Sequence, residues 1–315
     1  MKGGKQTTLR KHAAVFGIGV HSSLSATLTL HPAEADSGIL FVRAAHDGVP
    51  EREVRADFRA VTATEFQTVL GDAKGALCQT TEHVLAALRG AGVDNAVVEL
   101  DGPEAPIMDG SAAPFVAAID QAGVVTLNAP RRYIEVLKPV RVGFDKSVGE
   151  LRPYNGFRVE AEIDFPSPVI GRQAVAFDID ANTFRTEIAG ARTFGFMRDV
   201  AKLWGAGYAL GASFENTLVV AEDRVLNPNG LRYPDEFVRH KVLDAIGDLA
   251  LAGAPLLGAY RSVCGGHKLN HAVLSALMAD RSAWRMVEAA PARRARGHAD
   301  VAVGLVAPAY GPDVS

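Results

Sequence analysis

The sequence predicts an α+β protein of two related domains, each a sheet layered with helices, packed together with an active site between them. Three observations point there. At 315 residues the chain is longer than one small core uses. Segments of apolar period two and period 3.6 alternate through its first part. After a stretch rich in turn residues at 128–132, the same order of elements returns without any direct sequence repeat. The expected boundaries are a first domain over 1–127, a linker over 128–132, a second domain over 133–290 and a tail over 291–315.

Each element has its own signal. LSATLTL at 24–30 alternates as a strand, and GILFVR at 38–43 is its neighbour after a turn of Pro, Ala and Asp. TEHVLAALR at 81–89 has helical spacing and is ended by Gly90 and Gly92. NAVVEL at 95–100 is a strand, DGPEAPIMDG a loop, and SAAPFVAAIDQAG a second helix with Ser111 as its cap. In the second half, 133–137, 157–165 and 174–177 read as strands, and 236–253 and 269–278 as helices. The tail after Ala290 carries no readable pattern.

Composition narrows the class. The chain is 48% hydrophobic and 22% charged, as in soluble globular proteins. A formal net charge of -3 gives no basic excess for nucleic acid. Two cysteines make no disulfide framework and fit a cytoplasmic location. MKGGKQTTLRKH is followed by no signal-type apolar core, and LALAGAPLLGAY is too short and too broken to span a bilayer. A monomer without a transmembrane segment is expected.

The chemistry concentrates in EFVRHKVLDAIGDLALAG, an apolar helix with His240, Lys241, Asp244 and Asp248 in its middle. His240, Asp244 and Asp248 are four residues apart and form one narrow stripe. Unpaired buried charges cost several kcal/mol each, so a divalent metal would compensate them. His and Asp at this spacing reach one Zn²⁺ from consecutive turns, with a third ligand from elsewhere. An ordinary i,i+4 ion pair on a solvated face fits the same spacing. Glu82-His83 opens an otherwise apolar helix and suits either a metal site or a surface pair. In SVCGGH, paired glycines either bring His267 close to a ligand or make a plain turn. ARTFGFMRD, followed by VAKLWGAGYALGASF, offers the Thr193 hydroxyl and small residues that either wall a narrow apolar passage or pack a core.

Together GIGVHS, TTEHVLAAL, APIMDGSAAPF, RPYNGF, ARTFGFMRD, LRYPDEFVRHKVLDAIGDL and GGHKLNH resemble the UDP-3-O-acyl-N-acetylglucosamine deacetylases, the zinc amidases that commit bacteria to lipid A synthesis. The resemblance covers nearly the whole chain. It implies His83, His240 and Asp244 as zinc ligands, with Fe²⁺ an alternative to Zn²⁺ for such a ligand set. It implies Glu82 as general base and His267 as catalytic acid, with Asp248 holding the His267 ring. Lys241 and Thr193 match the family's active-site Lys and Thr and would steady the oxyanion. The insert over 191–220 would line the acyl passage, with Phe194 and Ala212 touching substrate. Asp164, Phe165 and Gly266 would lie near the nucleotide, Phe165 stacking on the base.

The implied reaction is hydrolysis of the N-acetyl group of a UDP-3-O-acyl sugar. Alternatives are a zinc hydrolase of another acylated amine, or a non-catalytic nucleotide-sugar or acyl-chain binding protein. One departure is Val69, standing where some members carry a cysteine able to take a second, inhibitory zinc.

Overall fold

The computed structural model describes residues 4–45 and 50–289, so the expected tail lies outside the described residues. The first layer is a five-stranded sheet in the order Ala13–Ile18, Ser25–Pro32, Ala96–Leu100, Ile39–Arg43, Arg52–Arg55. Ile39–Arg43 and Ala96–Leu100 pair in parallel, the other neighbours antiparallel. A parallel pair needs a crossover, and this one contains α1 (Glu82–Ala91). Alternation in the sequence becomes alternation in burial, with Ala26, Leu28 and Leu30 on the core face. Gly92, at φ 80°, ends α1 by turning its N–H onto the Leu88 and Arg89 carbonyls.

α2 (Ala113–Ala122) begins later than expected, and Ala112 rather than Ser111 holds the cap position. The Ser111 hydroxyl instead donates to Asp109 at 2.7 Å while accepting from the Ala113 N–H at 3.2 Å.

The second layer is a seven-stranded sheet. Its main path runs Val140–Phe144, Ser147–Arg152, Leu256–Val263, Arg132–Val136, Trp284–Glu288. Phe157–Phe165 joins Leu256–Val263 in parallel and pairs Gly171–Asp178 antiparallel. The stretch 128–132 is not an open loop. Val124–Pro130 is a strand paired with Lys5–Leu9, and Arg132–Val136 starts one residue later. The residues that suggested a turn, Asn128 and Pro130, sit at the end of a ribbon strand, where a missing ladder donor is tolerated. Within 191–220, Phe194–Phe196 pairs in parallel with Leu218–Val220 around the short helix α3 (Val200–Gly205).

The two layers meet through α1 and α4 (Glu236–Ala250), while α5 (His267–Ala279) packs beside α4. Gly247 permits the closest approach: a Cβ there would fall 2.0 Å from the Glu82 carbonyl oxygen. One apolar core runs from Leu28 and Val98 through Val84, Leu88, Val242 and Ile246 to Val159 and Ile163. Packing on both sides explains why α4 is buried on nearly every face. Among the described residues, no helix is long and apolar enough to cross a membrane.

Candidate metal centre

The α1–α4 contact brings together three side chains that are distant in sequence. His83 projects from the first turn of α1, and His240 and Asp244 project from consecutive turns of α4. They are 4%, 2% and 1% exposed, and their ligand atoms all lie within 4.8 Å of one another. Asp244 Oδ1 sits 3.3 Å from His240 Nε2 and 3.8 Å from His83 Nε2. It has no hydrogen-bond partner among the described residues.

Electrostatics separate the protonation states. Burial, with His240 nearby, pushes His83 down to about 3, so its imidazole is neutral. Burial also lowers His240, whose Nδ1 lies 3.1 Å from the Ala191 carbonyl. That contact selects the tautomer with Nδ1–H donating and leaves the Nε2 lone pair facing Asp244. Burial alone would raise Asp244, but His240 and Lys241 hold it well below the usual carboxylate range. Three lone-pair atoms crowded in a dry site repel each other unless a cation lies between them. The donor set fits Zn²⁺: two neutral imidazoles and one carboxylate. The i,i+4 pair of His240 and Asp244 is buried and forms no solvated face.

Around this cluster lies a cavity of about 350 Å³. Glu82, Thr193, Phe194, Ala212, Lys241, Gly266 and His267 all line it. Thr68 N–H donates to Glu82 Oε2 at 2.9 Å. Burial raises Glu82 to about 7, against the lowering effect of His267. His267 opens α5, and its Nε2 stands 3.9 Å from Glu82 Oε1. Burial would lower His267, yet Asp248, Glu82 and Asp244 outweigh it and raise it to about 10. Lys241 Nζ donates to Asp244 Oδ2 at 2.8 Å and lies over the Phe194 ring. Thr193 is fixed through its backbone, donating to Gly110 O and accepting from Leu218 N–H, each at 2.8 Å.

Asp248 does not line the cavity. It lies behind His267, bonded also to the Thr68 hydroxyl at 2.6 Å and the Asn270 amide at 2.8 Å. Asp164 is exposed, and Phe165 packs against Phe194 and Phe196; neither lines the cavity. Val69, beside Thr68, is buried and apolar, so no thiol is offered there.

Sequence reasoning missed several residues in and behind the cavity wall. Thr68 and Asn270 carry Asp248, while His21, Phe66 and Thr217 line the cavity. Two signals were available: GIGVHS contains His21, and Asn270 lies three residues after His267 and thus on the same helix face. His21 sits in a turn whose N–H groups at His21 and Ser22 are held by the buried Glu104 carboxylate at 3.0 and 2.8 Å.

A family model described as LpxC, UDP-3-O-acyl N-acetylglycosamine deacetylase, matches residues 6–279. The chain belongs to that family. Deacetylases bearing that name as UDP-3-O-acyl-N-acetylglucosamine deacetylase include those of Brucella ovis and Brucella canis. Each is 51% identical over 286 residues, covering 90% of this chain and 99% of the relative. That of Brucella melitensis is 50% identical over the same lengths. This LpxC-family chain is a metal-dependent amidohydrolase, and its buried cluster of His83, His240 and Asp244 fits the zinc site expected of the family.

Proposed function

We propose that the chain hydrolyses the N-acetyl group of UDP-3-O-(hydroxyacyl)-N-acetylglucosamine, giving UDP-3-O-acyl-glucosamine and acetate, the committed step of lipid A synthesis. The observation that carries this reading is the placement of Glu82 and His267 beside the His83, His240 and Asp244 cluster, in one cavity. A zinc ion held by those three residues supplies Lewis acidity toward water and the amide carbonyl.

The protein's own groups handle the protons. Glu82, ionised above about 7, removes a proton from the attacking water. A C–O bond forms at the acetyl carbon, and the oxygen gains negative charge. The Thr193 hydroxyl and the Lys241 ammonium steady that oxyanion. As the C–N bond breaks, protonated His267 gives its proton to the sugar nitrogen, and Asp248 keeps the ring charged and oriented. Phe194 and Ala212 contact the acyl chain, and Asp164, Phe165 and Gly266 contact the nucleotide. Every group in this scheme comes from one chain, which suits a monomer. The free Cys78 and Cys264 and a nucleotide-sugar substrate suit the cytoplasm. Zn²⁺ is the working metal, and Fe²⁺ would be accepted by the same ligands.

The test is mass spectrometry after incubating zinc-loaded protein with UDP-3-O-acyl-N-acetylglucosamine. A product lighter by one acetyl group is expected. Unchanged substrate under conditions where the zinc is bound would overturn the reading.

A further inference from the structure

Thr68 stands just before a short strand, Val69–Asp72, in the first half of the chain. It is 1% exposed and does not line the catalytic cavity, yet each of its polar groups bonds to the machinery there. Its carbonyl accepts from the N–H and the hydroxyl of Thr81, at 3.1 and 3.0 Å, and so fixes the residue that precedes Glu82. Its N–H donates to Glu82 Oε2 at 2.9 Å. Its hydroxyl donates to Asp248 Oδ1 at 2.6 Å, a bond that crosses from the first half of the chain to α4.

The acceptor atoms are divided in a telling way. Glu82 Oε2 is taken by Thr68, so Oε1, 3.9 Å from His267 Nε2, is the oxygen left to receive a proton. Asp248 Oδ2 takes both His267 Nδ1, at 2.9 Å, and the Asn270 amide, at 2.8 Å. Asp248 Oδ1 takes the Thr68 hydroxyl. A carboxylate hangs on a torsion with a broad energy well, so holding one oxygen leaves its plane free to turn. Holding the second oxygen fixes the plane, and with it the direction of the His267 ring. Glu82 and His267 come from different halves of the chain. A residue bonded to both sides of the pair keeps their spacing from following small shifts at the seam.

We propose, on the acid–base roles given above to Glu82 and His267, that Thr68 is the positioning residue that sets both groups in one frame. Its N–H turns Glu82 Oε1 toward the substrate. Its hydroxyl, through Asp248, turns His267 Nε2 to the same place. Small misplacements of such groups cost large factors in rate. Thr68 itself touches neither substrate nor metal, so its effect belongs to turnover rather than to binding.

The experiment is a double-mutant cycle on the zinc-loaded full chain, with zinc content and thermal unfolding checked first. Thr68→Val removes the hydroxyl and keeps the backbone N–H, so Glu82 retains its donor. It should lower kcat by about 10–100-fold and leave KM within about threefold. Thr68→Ser should restore kcat to within about threefold of wild type. In the His267→Ala background, Thr68→Val should cost less than about threefold, because the ring it orients is gone. Normal kcat in Thr68→Val overturns the proposal, as does an equal loss in both backgrounds, the result of a merely structural role. Should Thr68→Val not fold, Thr68→Ala takes its place in the cycle. Thr68→Ser also decides alone: a loss of about tenfold or more with the hydroxyl retained overturns the proposal. A wild type that fails to deacetylate refutes the acid–base reading itself. A working wild type, an impaired His267→Ala and a normal Thr68→Val refute only the role of Thr68.

Discussion

His267 Nδ1 lies 2.9 Å from Asp248 Oδ2, and that carboxylate is 1% exposed with two further donors fixing it. A charged imidazole is thereby held in a site where burial alone would discharge it. Glu82, 3.9 Å from the far ring nitrogen, experiences the reverse, a carboxyl raised by burial. The two groups are poised in opposite senses, as an acid and a base acting on one substrate require.

The pH profile follows from those shifts. With Glu82 as the proposed base, working ionised, kcat/KM should rise with pH through an acidic limb below about 7, the value Glu82 has without the metal. With His267 as the proposed acid, working protonated, kcat/KM should fall at a basic limb below about 10, the value His267 has without the metal. A bound divalent cation lowers both limbs. Asp248 raises the His267 value, so Asp248→Asn should move the basic limb to lower pH in zinc-loaded protein. His267→Ala should keep its metal and lose about 10²–10⁴ in rate. Near-normal activity with an unchanged basic limb would transfer the acid role to Glu82.

Metal content is the next check. His83→Ala, His240→Ala and Asp244→Ala should each lower zinc occupancy measured by elemental analysis, because two remaining ligands make an incomplete site. Chelation of the wild type should abolish activity, and added zinc should restore it. Undiminished zinc affinity in all three variants would refute the ligand set.

The contact at Gly247 predicts a coupled loss. An added Cβ meets the Glu82 carbonyl at 2.0 Å, and backbone cannot swing aside as a side chain can. Gly247→Ala should destabilise the fold by about 1–3 kcal/mol or more. It should also weaken zinc binding, since it pushes His83 away from His240 and Asp244. Thermal unfolding and zinc titration measure the two effects. A fall in stability with zinc affinity intact would mean that the helices can separate elsewhere.

The acyl passage is tested at Ala212, which lines the catalytic cavity. Ala212→Phe should lower kcat/KM for a long-chain substrate by about tenfold or more, through steric conflict and lost apolar burial. A substrate lacking the chain should be affected much less. Equal losses on both would place the passage elsewhere.

The sequence made some of this legible and hid the rest for physical reasons. Spacing alone put His240, Asp244 and Asp248 on one stripe of α4, because a helix is a local ruler. It could not pair His83 with them, since that contact crosses between helices from different layers. Nor could it separate the roles within the stripe: Asp244 faces the two imidazoles, whereas Asp248 lies behind His267. Amphipathic strands such as Ser25–Pro32 were readable because one face is buried. Leu256–Val263 was not. It is a strand with neighbours on either side and little exposure, so its apolar run carries no period. The same holds for Thr68, which reaches Asp248 across 180 residues of chain.

The division of the zinc ligands between α1 and α4 has a consequence for how the protein is made. A chain emerges from the ribosome N-terminal end first, and domains fold as units in that order. When the first layer is complete, the nascent chain carries Glu82 and His83 but lacks the other two ligands. A single imidazole is a poor trap for zinc. The hydrolytic centre therefore cannot assemble on a partial translation product, and fragments that stop before α4 carry no deacetylase activity.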